Sequence, residues 1–392
     1  MRPKRLLILS SEFPPGPGGI GTHAYQIAKG LNSGGWQVSV VAPQDYVLEE
    51  ELSHFNKGQP FQIHSLAKHR FKFIQIIIRI WAIWQVISKF KPHMVIATGS
   101  RAAYISGVLL SLKKIPWVLI GHGSEFGAQK GWHALLMRLS GNRASAVICV
   151  SEYTLHTLRT MGITKPSTYV IHNGADHTLF YPLPEVEIQA FREKESVNNK
   201  FILLTVGNVS DRKGQEVVIR ALPIIKNAFP NVIYWMAGLP QKQAELERLA
   251  SDLGVADYIR FWGRVSQETL LKLYNACDLF LMTSRRLVDG DFEGFGIAVI
   301  EAALCGKSAV VSDESGLAEA VQDGITGCLV PQNDPQATAD AVLDLAQDPE
   351  WYEKLSGAAY QHALLHQTWE KVGTRYEKVL ESVIKKGSLC DC

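Results

Sequence analysis

Glu293 and Glu301 stand eight positions apart around Gly294-Phe295-Gly296 and a short apolar run. The stretch reads as a loop opening into a helix, continued by Ala302, Ala303 and Leu304 and stopped by Gly306. Glycines before a helix let bare backbone N–H groups face a ligand, and a helix N-terminus favours negative charge. A carboxylate in that loop cannot also bind phosphate, but Glu293 can accept hydrogen bonds from sugar hydroxyls. Glu301, two turns further on, can do the same for a second polyol. A diphosphate between two sets of hydroxyls describes a nucleotide sugar. Taken alone, the stretch reads equally well as a helix start with acids near its positive end.

A second segment, Val206-Gly207-Asn208-Val209-Ser210-Asp211-Arg212-Lys213-Gly214, follows an apolar run and precedes a helical pattern. Arg212 can meet a diphosphate with its bidentate fork and Lys213 as a point charge. Two cations so placed would stabilise charge on a departing nucleoside diphosphate. His122, in Gly121-His122-Gly123-Ser124-Glu125, follows the apolar run Trp117–Ile120 and sits where strand ends form clefts. It can bond a sugar hydroxyl or cap the turn. Asn173-Gly174-Ala175-Asp176 reads chiefly as an Asn-Gly turn. Gly16-Pro17-Gly18-Gly19-Ile20-Gly21 matches the dinucleotide fingerprint by spacing only. Ser10 to Pro15 separate it from the strand, and no acid follows Val41 to hold a ribose, which disfavours a dehydrogenase. A glycine loop that closes on a ligand fits better. Asp289-Gly290-Asp291 matches a DxD metal pattern but sits in a loop insertion, so no metal is assigned.

The elements that must position these residues repeat in two halves. Strands are expected at Arg5–Ser10, Trp36–Ala42, Phe61–Leu66, Met94–Thr98, Trp117–Ile120, Ala146–Val150 and Tyr169–Ile171, with helices between. Tyr181 to Lys200 breaks the rhythm and reads as a linker. Strands resume at Phe201–Val206, Val232–Ala237, Ile259–Trp262, Leu279–Met282 and Ser308–Ser312. Continuous apolar strands separated by helices indicate parallel sheets covered on both faces. The expected organisation is α/β, with doubly wound domains at 1–183 and 184–369 facing a central cleft. The tail helix, at about 370–388, returns to the first domain. A chain of 392 residues exceeds one core.

Charge is divided unevenly. Residues 1–185 hold 19 Lys/Arg against 9 Asp/Glu, and residues 186–392 hold 21 against 29. Between Glu51 and Glu125 there is no acid but ten Lys/Arg, which predicts an anionic partner for the first half. Inside that window Phe71–Phe90 is apolar over more of its circumference than sheet packing needs. Arg79 interrupts it, so it reads as a helix resting on an anionic membrane or one buried between neighbours. Six scattered cysteines, with Cys390-Asp391-Cys392 lacking partner ligands, suggest a reducing compartment. Met1 to Ser10 reads as a first strand rather than a signal peptide.

Together these segments resemble the retaining glycosyltransferases of family 4, which adopt the GT-B fold of two Rossmann-like domains. The resemblance implies a nucleoside-diphosphate sugar, UDP or GDP, held mainly by the second domain. It also implies a glycan or lipid-linked acceptor held mainly by the first. By that likeness Gly19 and Gly21 lie at the sugar diphosphate, and Arg212 and Lys213 grip the phosphates. Glu293 holds donor-sugar hydroxyls, Phe295 and Gly296 give backbone contacts, and Glu301 holds the ribose. His122 contacts the sugar, and the backbone near Arg264 and Val265 reads the base. The family often has Arg where Asn208 stands, and Arg212 is the expected substitute. The loop Arg285 to Phe292 is longer than the common form and resembles members acting on lipid-type acceptors. The resemblance further implies hexose transfer with retention, giving an α-linkage for a cell-envelope glycan or glycolipid. Neither a metal nor another cofactor is expected, nor is nucleic acid. The expected place is the cytoplasm, peripheral at the inner face of the membrane. A sugar-nucleotide epimerase and an inert nucleotide-binding scaffold of the same fold are the alternatives.

Overall fold

The structure is a computed structural model that describes residues 3–389 apart from 17, 45, 46 and 67. Pro17 of the glycine loop and the Cys390-Asp391-Cys392 stretch therefore lie outside the described residues. The chain divides into two compact units, residues 1–173 with 369–392, and residues 174–368.

In the first unit, seven strands form one parallel sheet. They are β1 (Arg5–Ser10), β2 (Gln37–Ala42), β3 (Gln62–Ser65), β4 (Met94–Thr98), β5 (Trp117–Gly121), β6 (Ala146–Cys149) and β7 (Ser167–Val170). Their spatial order is β3-β2-β1-β4-β5-β6-β7. Every residue of β4 and β5 is buried, as expected for strands covered on both faces. The helices are α1 (Gly19–Ser33), α2 (Glu49–Lys57), α3 (Lys72–Phe90), α4 (Ser100–Lys113), α5 (Ser124–Gly127), α6 (Gly131–Gly141) and α7 (Glu152–Thr160). Ile83 and Ile87 of α3, Leu110 of α4, Met137 of α6 and Leu158 of α7 pack with Leu7, Val95, Leu119 and Val147 in one core. These four helices therefore cover the same sheet face.

The second unit opens with α8 (Glu185–Lys194). Its sheet has β8 (Phe201–Val206), β9 (Val232–Ala237), β10 (Ile259–Gly263), β11 (Leu279–Met282), β12 (Ala309–Ser312) and β13 (Gly327–Val330). All pairings are parallel, in the order β10-β9-β8-β11-β12-β13. Between and after them lie α9 (Gln215–Ala228), α10 (Gln243–Asp252), α11 (Gln267–Ala276), α12 (Ile297–Leu304), α13 (Pro335–Gln347) and α14 (Pro349–His366). The last helix, α15 (Trp369–Leu389), belongs to the first unit, where it packs on α1. There Tyr376 and Leu380 are fully buried, and the Gly30 and Gly373 backbones pass close together.

Three local expectations are corrected. Residues 181–200 are not a plain linker, because α8 forms there and anchors to its sheet. Phe191 buries against Trp235 and Trp262, and the Arg192 guanidinium bonds Asp278 at 3.1 Å. Its polar surface hid one apolar anchor. The strand β13 was not anticipated, since its four residues are apolar but interrupted by Gly and Cys. Nor was α2, an acid-led helix with no buried residue.

Candidate active site

In the second unit the strand order reverses between β8 and β11, which are neighbours. From such a point the following loops diverge and open a crevice outside the carboxyl ends of the strands. The segment 207–214 follows β8 and the segment 283–296 follows β11, so Arg212, Lys213 and Glu293 flank one reversal.

The two loops are stitched together by backbone. Arg285 N–H donates to the Arg212 carbonyl at 2.8 Å, and its guanidinium donates to the Asp211 carbonyl at 2.7 Å and to Glu216 at 2.9 Å. The Thr283 hydroxyl donates to the Gly214 carbonyl at 2.8 Å. Gly214 ends the short turn Asp211–Lys213 at φ 68° and caps α9. A Cβ there would stand 1.9 Å from the Thr283 carbonyl oxygen. Gly214→Ala should therefore lower stability by roughly 3 kcal/mol, from left-handed strain plus a backbone clash. Denaturant titration checks this, and an unchanged midpoint would show that the loops yield freely.

This stitching delivers both cations to one carboxylate. Lys213 Nζ lies 2.7 Å from Glu293 Oε2, and the Arg212 guanidinium bonds the same oxygen. Arg212 Nε also pairs with Asp291 at 3.2 Å. Burial alone would raise the Glu293 carboxyl, but the charges and hydrogen bonds of Arg212 and Lys213 overcome it and hold the group at about 2. Burial lowers the Lys213 ammonium, and Glu293 works against that. Arg212 is raised by the Glu293 charge. The cluster is thus two cations balanced by two carboxylates, with Glu293 13% and Lys213 12% exposed at their side chains. Glu293 was expected at sugar hydroxyls; here it is the counter-ion of both expected phosphate-binding cations. A diphosphate arriving at these cations would compete with it.

Phe295 is buried, and Gly296 at φ 90° starts α12 with no side-chain cap. Glu301 sits on the second turn of α12, where the Tyr274 hydroxyl donates to it at 2.6 Å. Burial pushes Glu301 up to about 7, against the Tyr274 bond and the Lys213 charge. Arg264 and Val265 follow β10, with Arg264 exposed. Asn208 is exposed, and its carbonyl accepts from Gln215 at 3.1 Å; Arg212, the expected substitute, stands beside Lys213 at Glu293.

His122, Gly19 and Gly21 belong to the first unit, where strand order reverses between β1 and β4. His122 Nε2 lies 2.7 Å from the Thr98 hydroxyl at the end of β4, and the Glu125 carboxylate accepts from the His122 backbone N–H at 3.1 Å. Burial lowers His122 to about 4 and raises Glu125 to about 7, so the imidazole is neutral. The His23 ring stands edge-on at 4.8 Å and is bonded to Tyr376. Gly19 begins α1, and a Cβ on Gly21 would come within 3.2 Å of the Phe13 backbone.

Sequence reasoning missed Asp291 as a partner of Arg212, Tyr274 on Glu301, and Thr98 and Glu125 around His122. Asp291 had one available signal, an acid two residues before Glu293. Tyr274 had none, because its partner is 27 positions away on another helix.

Comparison with known proteins shows the family of the chain. A family profile described as Glycosyltransferase Family 4 matches residues 17–179, and one described as Glycosyl transferases group 1 matches residues 187–362. A GDP-mannose-dependent alpha-(1-6)-phosphatidylinositol monomannoside mannosyltransferase of Mycolicibacterium smegmatis is 32% identical over 265 residues, covering 66% of this chain and 69% of that one. The protein of that name in Mycobacterium tuberculosis is 24% identical over 391 residues, covering 95% and 96%. Among solved structures, Anabaena HepE in complex with UDP and glucose superposes with a TM-score of 0.82 at 22% identity, covering 97% of this chain and 100% of its own. A sucrose-phosphate synthase from Thermosynechococcus elongatus gives 0.80 at 21% identity, covering 98% and 100%. At these identities the two structures share the fold.

Proposed function

This chain belongs to the family 4 glycosyltransferases of GT-B fold, and from that premise we propose that it transfers a hexose with retention from GDP-hexose, or UDP-hexose, to a lipid-linked or glycan hydroxyl. That it is an enzyme using a nucleotide sugar follows from the family. The finer reading is supported by one observation above all, the convergence of Arg212 and Lys213 on Glu293 at the strand-order reversal.

On this reading the donor diphosphate takes over Arg212 and Lys213, and Glu293, relieved of them, turns to the hexose hydroxyls. Glu301 accepts from the ribose hydroxyls, and the backbone at Phe295 and Gly296 meets the donor. The bond between the anomeric carbon and the diphosphate oxygen breaks as the acceptor oxygen attacks from the same side. The acceptor proton passes to the departing diphosphate, and the product is α-linked. Catalysis is then positioning and leaving-group stabilisation. No metal or other cofactor enters this scheme.

Guanine is the first choice of base because GDP-mannose stands in the names of the relatives from Mycolicibacterium and Mycobacterium. Their phosphatidylinositol-mannoside acceptors likewise favour a lipid-linked acceptor in envelope synthesis. Thermal shift with GDP, UDP, ADP and their hexose conjugates tests the donor. A guanine conjugate at a hundred times its Kd should add about 2.7 kcal/mol of stability. A melting point unmoved by any of them would overturn the donor assignment. Release of nucleoside diphosphate only when acceptor is present separates transfer from epimerisation.

A further inference from the structure

The helices α3, α4 and α6 cover one face of the first unit's sheet, and their outward sides are apolar. On α3 the N-terminal half stands clear of the core, with Phe73 74%, Ile77 53% and Trp81 60% exposed. Leu112 on α4 and Trp132 and Leu139 on α6 are exposed as well. The three helices are lateral neighbours. Lys113 of α4 places its ammonium 3.7 Å over the Trp84 ring of α3, and Tyr104 of α4 stacks on His133 of α6.

Phe73–Phe90 is long and apolar enough to cross a bilayer, yet only 17% of it is buried. It cannot leave the protein to do so, because Ile83 and Ile87 are locked in the sheet core. So many large apolar side chains exposed on three neighbouring helices mark a docking surface. Its charge decides the occupant. Residues 52–151 contain thirteen Lys/Arg and a single acid, Glu125, which is buried. None of the three helices has an Asp or Glu. A second copy would bring like charge to like charge, whereas an anionic bilayer offers opposite charge above an apolar interior.

We propose that α3, α4 and α6 together form an interfacial face that seats the first unit on an anionic phospholipid surface. Phe73, Ile77 and Trp81 enter the acyl boundary, and the surrounding cations, Lys68 and Arg70 among them, lie at the headgroup level. The inference uses the transferase reading only for its purpose, bringing the acceptor-binding unit to a lipid-linked acceptor.

Flotation of the full chain with phosphatidylcholine vesicles, with and without phosphatidylglycerol, tests it. The protein should float with the anionic vesicles and lose much of that binding at high salt. The variant Phe73→Ser/Ile77→Ser/Trp81→Ser should bind them about a hundredfold less tightly. Lys68→Gln/Arg70→Gln should lose roughly twenty-five-fold, at about fivefold for each cation removed. Both variants change exposed side chains and should melt as the parent does. Equal recovery with and without phosphatidylglycerol would overturn the proposal, as would undiminished binding by the triple variant. So would a dimer in sedimentation that the triple variant dissolves without any lipid binding. Donor turnover on a water-soluble acceptor is read separately. Vesicle binding without such turnover would leave the docking face standing and remove the transferase reading.

Discussion

Replacing Lys213 by alanine should lower kcat by between about a hundredfold and a thousandfold, the loss typical when one donor to a developing anion is removed. The ammonium is placed by backbone, through the turn Asp211–Lys213 and the Gly214 cap, so it does not depend on ligand for its position. The fold should survive, because Arg212 still pairs with Glu293 and leaves no buried carboxylate alone. Donor binding should weaken less than turnover falls, since charge on the departing diphosphate grows as the bond breaks. Steady-state kinetics with the melting curve alongside would check this. Undiminished turnover would remove Lys213 from the phosphate role.

Glu293→Gln should separate binding from transfer. The glutamine no longer neutralises Arg212 and Lys213, so free nucleoside diphosphate should bind more tightly while transfer falls by about a hundredfold or more. The same variant should reveal a pH-dependent stability. Glu293 is held at about 2 against an ordinary 4.5, so its ionised form stabilises the folded state. That contribution is full above the unfolded value and is lost as pH falls from about 4.5 towards 2, about 3 kcal/mol in all. Urea titrations of parent and variant should therefore differ near pH 7 and converge on acidification. A gap of constant size across that window would mean that Glu293 is not the group being titrated.

Much of the candidate site was legible because its signals are local. Arg212 and Lys213 directly follow a strand, and Glu293 and Glu301 bracket the start of one helix. Reading them required only strand, turn and helix in order. What stayed hidden depends on tertiary proximity. That Glu293 neutralises Arg212, 81 positions away, and Lys213 beside it follows from two loops being joined through Arg285 and Thr283, which no spacing announces. The Tyr274 bond to Glu301 and the Thr98 bond to His122 are likewise products of packing. Among the elements, the apolar strands were plain, whereas α8 was obscured by its charged surface. Phe191, buried against two tryptophans, and Arg192, paired with Asp278, show why that charged segment is ordered.

The last helix has a consequence for how the protein is made. The apolar side of α1 finds its cover in α15, with Tyr376 bonding His23 and Glu377 accepting from Trp36. Synthesis runs from the N-terminus, so the ribosome completes all of residues 174–368 before that cover exists. The N-terminal unit thus waits, its sheet assembled but one helix bare, until the final segment emerges. A nascent chain halted before Trp369 would present that bare helix to chaperones, while the unit translated later is already whole.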